Sequence, residues 1–422
     1  MKRLDLRNAV IAGVLAAGFT AVSAGAQQGV KPGDWPQWRG PERTGHSKVT
    51  GVLKQWPAGG PKMLWKAPGL GGGYGSVSVA NGRIFGMGYD GGDEVVWALN
   101  EADGRGLWKV KINNANRNVG YAEGSRCTPT YDGGNLYVVG VSGDLVCLES
   151  GSGRILWQKN FVTDFGGQVP QWGYSESPLV DGNKVIATPG GNGAALVAFN
   201  KTSGEVLWKA AVPGNDRAHY SSAIKATVNG QPQYLQFLSR GVVGVSAADG
   251  AFQWRYTSPA NGTANISTVL FKDNHVFGAT AYRTGGGLAR IVGTPGAMRA
   301  EEVYFTREMQ NHHGGMILVG DHLYGANERT LTCMEFKTGQ IKWTSNNPGK
   351  CSLTYADGML VARNERGAVT LVEATPTAYV EKGVFEQPER TGKAAWAHPV
   401  IANGRLYLRD QETMFCYDVK AP

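Results

Sequence analysis

Five times this chain writes a glycine, three residues and a tryptophan: "EADGRGLW" to Trp108, "SGSGRILW" to Trp157, "KTSGEVLW" to Trp208, "AADGAFQW" to Trp254 and "FKTGQIKW" to Trp343. Trp65, in "KMLWKA", belongs to the same series. The intervals from Trp65 through Trp254 are 43, 49, 51 and 46 residues, and Trp343 follows after 89, about two periods. A period of that size is the mark of an array in which each unit buries its apolar face against the next. The spacing predicts a degenerate copy midway, where "AEEVYFTRE" supplies Tyr304 and Phe305, and another beyond Trp343, where "EKGVFEQ" supplies Phe385. Eight copies result.

Each copy has one internal plan, typified by Ser177 to Ala210. An apolar run meets an Asp-Gly turn, a second strand follows, then a Gly-rich turn, a third strand, a Ser/Thr-Gly turn and a strand ending at tryptophan. Short strands, tight turns and no long helical period describe propeller blades of four strands each. After Phe385 only three strands fit, around Ala397–Ile401, Arg405–Arg409 and Met414–Val419, while Lys62–Ala67 is a lone strand at the other end. Pairing the two completes an eighth blade and closes the ring, which removes the exposed sheet edges an open ring would carry. The fold class expected is all-β, an eight-bladed propeller.

In this arrangement the repeat glycine takes a positive-φ turn that a side chain resists, and the tryptophan packs its ring between blades. Six residues before each glycine stands Ala98, Cys147, Ala198, Gly244 or Cys333. A slot restricted to such small residues leaves room for the ring. That makes Cys147 and Cys333, and Cys416 by analogy, packing residues. Cys127 and Cys351 are placed at the starts of inner strands of non-adjacent copies, and the five cysteines contain no C-x-x-C.

Residues 1–26 read as a secretory leader: Lys2, Arg3 and Arg7, an apolar stretch from Ala9 to Phe19, and Ala24-Gly25-Ala26 before Gln27. Its removal takes three basic residues and one acid (Asp5), so the formal charge falls from +8 to +6. No later segment holds 18 continuous apolar residues, so no transmembrane anchor is expected. The location expected is the periplasm or the cell exterior, in soluble form. Lys and Arg are scattered rather than striped between aromatics, which excludes a nucleic-acid-binding face. Residues 27–61 form an extension, in which the compact "WPQWRGPERTG" packs across the ring as a plug or brace, and residues 62–422 form the propeller.

"ALNEADGRGLW", "AFNKTSGEVLW" and "CMEFKTGQIKW" resemble the tryptophan-docking repeat of pyrroloquinoline-quinone (PQQ) type propellers, a superfamily of eight four-stranded blades. "DWPQWRGPERTGHS", "WGYSESPLVDG", "NHHGGMILVGDHLYG" and "AHPVIANGRLYLRDQ" look like the exported members described as BamB-like. The resemblance covers Trp35 to the C-terminus. It implies either a non-catalytic scaffold in the cell envelope, binding envelope proteins or a small ligand, or a PQQ- and calcium-dependent dehydrogenase of alcohols or sugars. The dehydrogenases are similar in carrying a disulfide between adjacent cysteines, and no two cysteines here are adjacent. BamB is a lipoprotein, and this leader has no lipid-acceptor cysteine. The scaffold reading therefore leads.

A ligand site in a propeller is expected where the segments entering the innermost strands converge on one end of the channel. One residue per blade stands there: Tyr74, Arg126, Glu176, Tyr220, Asn265, His313, Lys350 and His398, with Trp172, His219, His312 and Trp396 nearby. Arg126 and Lys350 suit carboxylates, Trp172 and Trp396 suit stacking, and Glu176 and Asn265 are the oxygens a calcium ion would use under the dehydrogenase reading. His312 and His313, as strand neighbours, would point to opposite faces and not chelate together. "GLGGGYGS" and "RTGGG" lack a following Gly-Lys-Ser/Thr and read as turns rather than phosphate loops. No metal site and no catalytic motif are expected.

Overall fold

The computed structural model describes residues 29–422; residues 1–26, read from the sequence as a leader, lie outside the described residues. Eight four-stranded antiparallel sheets follow one another along the chain, spanning residues 78–114, 130–160, 179–210, 224–256, 270–306, 316–345 and 351–386, with the eighth made of residues 400–418 and Met63–Ala67. We number these blades 1 to 8. In blade 8 the strand Met63–Ala67 pairs antiparallel with Thr413–Asp418, Trp65 opposite Cys416, so the two ends of the chain close the ring. The degenerate copy inferred from Tyr304 and Phe305 is blade 5, and that inferred from Phe385 is blade 7.

The repeat works as a ladder between blades. Gly104, Gly153, Gly204, Gly250 and Gly339 all have φ between 72° and 77°. A Cβ built on each would strike the ring of the preceding blade: Trp65, Trp108, Trp157, Trp208 and Tyr304, at 2.5 to 2.8 Å. Within its own blade each of the repeat tryptophans lies opposite the small residue, as Ala98 opposite Trp108, Cys147 opposite Trp157 and Cys333 opposite Trp343, and a register shift follows at once. Indole N–H groups finish the rungs. Trp108 donates to Ser150 O at 3.1 Å, Trp157 to Lys201 O at 3.1 Å and Trp343 to Thr375 O at 2.8 Å.

Two departures are instructive. Trp254 turns its N–H to Gln233 of its own blade (2.8 Å) and lies over Gly244, which has no Cβ to obstruct it. Blade 5, next in the ring, lacks the repeat glycine. At closure, Phe385 of blade 7 packs on Gly60; the rung of blade 8 is thus supplied from the other end of the chain. All five cysteines are free and buried. Cys351 begins a strand, but Cys127 precedes one, its Sγ accepting from Val139 N at 3.3 Å.

"RTGGG" meets the turn reading only in part, with Arg283 and Thr284 in the turn before the strand. Gly285–Gly287 open the strand Gly285–Val292, because side chains there would collide with Phe277 and Tyr256. The helix among the described residues is one turn, Phe161–Phe165, capped by Asn160 and by Gly166 in the left-handed conformation. No helix of the described residues is long and apolar enough to cross a membrane.

The segment 35–47 runs across the channel and bonds to every blade. Trp35 exchanges hydrogen bonds with Val79 in blade 1 (both 2.8 Å), and Pro36 O accepts from Tyr131 in blade 2. Arg43 donates to Ser177 O and Pro178 O at the entrance of blade 3 and to Ala223 O before blade 4. Trp38 donates to Thr268 Oγ1 before blade 5 at 2.9 Å, and Arg39 to Met316 O in blade 6. Ser47 reaches Tyr355 O in blade 7 and Ile401 O in blade 8, both at 2.8 Å. Arg39 and Arg43 sit at φ 59° and 58°, conformations a bulky residue keeps only when its surroundings hold it. The burial of both guanidiniums among carbonyl oxygens supplies that hold.

Candidate functional site

Above Trp38 lies a cavity of about 330 Å³ at the channel mouth. The structure brings Tyr74, Arg126, Trp172, Tyr220, His313, Trp396 and His398 into its lining. Trp38, Tyr121, Tyr282 and His312 join them, with Ser175, Ser222, Ser267 and Thr268. Ring side chains dominate the wall. Trp396 contacts Tyr74 and Tyr121 with ring centroids 4.7 Å apart in each case, and His313 at 5.0 Å. Trp172 meets Tyr220 at 5.4 Å, and Trp38 meets His398 at 4.6 Å.

Three of the eight one-per-blade residues lie elsewhere. Glu176 is 3% exposed and accepts from Thr188 N at 2.5 Å, turned back into blade 3. Asn265 is buried; it donates to Leu238 O and Ser239 O and accepts from Asn261 N, bracing the entry to blade 5. Lys350 stands behind the wall, paired with Glu328 at 2.9 Å and Glu365 at 3.2 Å. Glu176 and Asn265 follow the backbone groups that need a partner, and Lys350 follows two carboxylates.

Arg126 lines the cavity with several of its donors committed: it bonds Gly124 O (2.7 Å), Gly120 O (2.6 Å) and Tyr121 O (2.6 Å), holding the rim loop. Burial lowers its pKa. Burial also depresses the imidazoles, His312 to about 4, His398 to about 3 and His313 well below its ordinary value, so the histidines of the wall are neutral near pH 7. His312 and His313 correct the strand-based expectation. They occupy an irregular segment before Gly314 and Gly315, and their Nδ1 atoms approach to 3.1 Å.

PQQ with calcium can be tested against these groups. Calcium takes six to eight oxygens with carboxylates among them, and the cavity lining contains no Asp or Glu. Glu176 and Asn265 spend their side chains on backbone partners. No group of three or more His, Cys, Asp or Glu suited to a metal occurs among the described residues. The donor set does not fit that pair.

The buried titratable groups predict an acid-sensitive fold. His46, His219, His312, His313 and His398 have folded pKa values below 6.5, through burial. Their contribution is present above pH 6.5 and lost as pH falls. Glu94 and Glu176 are raised to about 7 by burial, so theirs is present below about pH 4.5 and lost as pH rises toward 7. Around pH 5.5 five histidines favour proton uptake on unfolding and two glutamates oppose it, a net of about three protons. The urea midpoint is therefore expected to fall from pH 7 to pH 5; a midpoint that rises over that interval would contradict the assignment.

Comparison with known proteins places this geometry. The family model for outer membrane protein assembly factor BamB matches residues 92–345. Tetrathionate hydrolase of Acidithiobacillus ferrooxidans is 22% identical over 321 residues, covering 74% of this chain and 53% of that protein, so the chain spans about half of that relative's length. Outer membrane protein assembly factor BamB of Shewanella oneidensis is 23% identical over 325 residues, 74% of this chain and 72% of that one. The solved structure of BamB from Moraxella catarrhalis superposes with a TM-score of 0.61 at 12% identity, covering 86% of this chain and 98% of that one.

Proposed function

On the premise that the chain belongs to the family of outer membrane protein assembly factor BamB, we propose that it is a non-catalytic binding propeller of the cell envelope that holds its ligand in the aromatic pocket at the channel mouth. Residues 1–26 export it to the periplasm or beyond. Its partners are envelope components, as the family's name suggests. The observation that carries this reading is the pocket itself, a cavity walled by seven Trp and Tyr rings on a floor braced to all eight blades. Concave, largely apolar sites with a few placed polar groups are where ligands bind. Tyr121, on the rim and 54% exposed, gives access to the test.

A photo-crosslinking residue at position 121 of the full chain, in the cells that make it, is expected to trap an envelope component. The same residue at position 207, on the outer edge of blade 3, is expected to trap none. Adducts at 207 and none at 121 would move the binding surface to the blade edges and end this reading.

A further inference from the structure

The lining of the pocket combines two features that no single charge satisfies. Four rings that reach into it, Trp38 on the floor and Trp172, Tyr220 and Trp396 on the walls, stay half-buried, while no Asp or Glu joins them. The face of such a ring is the negative pole of its quadrupole and attracts a cation that has shed its water. A carboxylate behind the wall sharpens that pole. Trp396 Nε1 donates to Glu365 at 2.6 Å, and a hydrogen bond to an ionised acceptor polarises its donor. The wall already holds one such contact: the Arg126 guanidinium stands 6.0 Å from the ring centroid of Tyr74.

Below the floor the demand is the opposite. Arg39 is buried, burial lowers its pKa to about 10, and no acid opposes the shift. Its Nη2 donates to Thr44 O and Met316 O, but Nε and Nη1 have no hydrogen-bond partner among the described residues. Gly315 of the pocket lining lies directly against that end of the guanidinium. A Cβ on it would collide with Nη1 and stand 2.9 Å from His398. Arg43, the other arginine of the crossing segment, differs, because Glu176 answers its charge. A buried cation without a counter-charge is costly, and an anion seated beside Gly315 and His398 would offset part of that cost.

We propose that the pocket binds a small zwitterion carrying a quaternary ammonium at one end and a carboxylate at the other. The trimethylammonium head lies among Trp38, Trp172, Tyr220 and Trp396, and the carboxylate points to Gly315, above Arg39. A primary ammonium suits the rings less well. It brings three N–H donors and meets no carboxylate, whereas a quaternary nitrogen has no donor to leave unpaired. This inference rests on the mouth being the binding site, and deepens it by naming the ligand class.

The test is calorimetric titration of the full chain with glycine betaine and with two probes that each lack one of its charges. In tert-butylacetate a carbon replaces the nitrogen at the same shape; tetramethylammonium lacks the carboxylate. Saturable binding of glycine betaine is expected, with each probe at least about tenfold weaker, the scale of a desolvated cation–π contact or of one charged contact. Trp172→Leu should weaken glycine betaine about tenfold and leave tert-butylacetate nearly unchanged, because leucine keeps an apolar wall without the quadrupole. The probes read the wild-type protein, so their outcome stands even where the variant fails to fold. Glycine betaine and tert-butylacetate binding alike would overturn the contact with the rings. Glycine betaine and tetramethylammonium binding alike would overturn the role of Arg39. No binding of glycine betaine would overturn the ligand class; adducts at position 121 in the crosslinking experiment would then still support the mouth, and their absence would remove both readings.

Discussion

Trp157→Ala is expected to lower the free energy of unfolding by about 3–5 kcal/mol, the usual cost of truncating a large buried ring. The ring sits on Gly204 of the next blade, contacts Tyr137 and Phe199, and donates to Lys201 O. Its removal empties a space between two blades that neither can fill without leaving its own sheet. Trp208→Ala should cost about 1 kcal/mol less, for a local reason. Its N–H has no protein partner among the described residues, since the matching carbonyl, Ala247 O, is taken by Lys184 Nζ at 2.7 Å. Gly204→Val should approach the effect of Trp157→Ala from the other side, because its Cβ would stand 2.8 Å from the indole and φ is 72°. Equilibrium urea unfolding of the three variants decides the matter; a Trp157→Ala variant within 1 kcal/mol of wild type would show that the ladder is not what couples the blades.

Arg43→Met should be comparably damaging, about 3–5 kcal/mol, the usual loss when one partner of a buried charged network is removed. Arg43 is buried, donates to Gln37 Oε1 (2.9 Å) and to carbonyls at the entrances of blades 3 and 4, and its charge lowers the pKa of nearby Glu176. Without it those oxygens lose a donor, and Glu176, already raised to about 7 by burial, is pushed higher. The sign of the pH effect follows. The unfolded chain ionises Glu176 near pH 4.5, the folded variant far above it, so the variant loses most stability above neutral pH and recovers part of it toward pH 5.5. Arg43→Met with Glu176→Gln should be more stable at pH 8 than Arg43→Met alone. Denaturation curves at pH 8.0 and 5.5 measure both; an equal loss at the two pH values would show that Glu176 does not feel Arg43.

The ring was legible because its determinants are local and repeated. A glycine at positive φ, a small residue six before it and an aromatic four after it recur often enough to survive two degenerate copies, Tyr304 and Phe385. The closing strand could be inferred from a shortage of strands at one end and a spare at the other. The pocket was legible only as a neighbourhood. Eight of the twelve residues named there from the sequence line it. Glu176 and Asn265 were misplaced because their partners, Thr188 N and Leu238 O, are set by blade geometry, which no spacing encodes. Tyr121 and Tyr282 were missed outright. Tyr121 lies on the loop between blades 1 and 2 and Tyr282 in the turn between the second and third strands of blade 5, and the signal of each is a backbone angle. The His312–His313 pair was misread because the period-two rule was applied to a stretch that Gly314 and Gly315 keep out of the sheet.

The closing blade has a consequence for how the chain comes into being. Met63–Ala67 leaves the ribosome about 350 residues before its partner Thr413–Asp418. Until that partner is delivered, blade 1 and blade 7 stand without the closing blade between them, and the strand Met63–Ala67 has no sheet. Blades pair their own neighbours in sequence and can form as they arrive; the ring cannot. A chain cut short by its last twenty residues would therefore lose more than twenty residues' worth of structure. It would remain an arc with both flanks exposed, the state in which strand-rich proteins find one another instead of themselves.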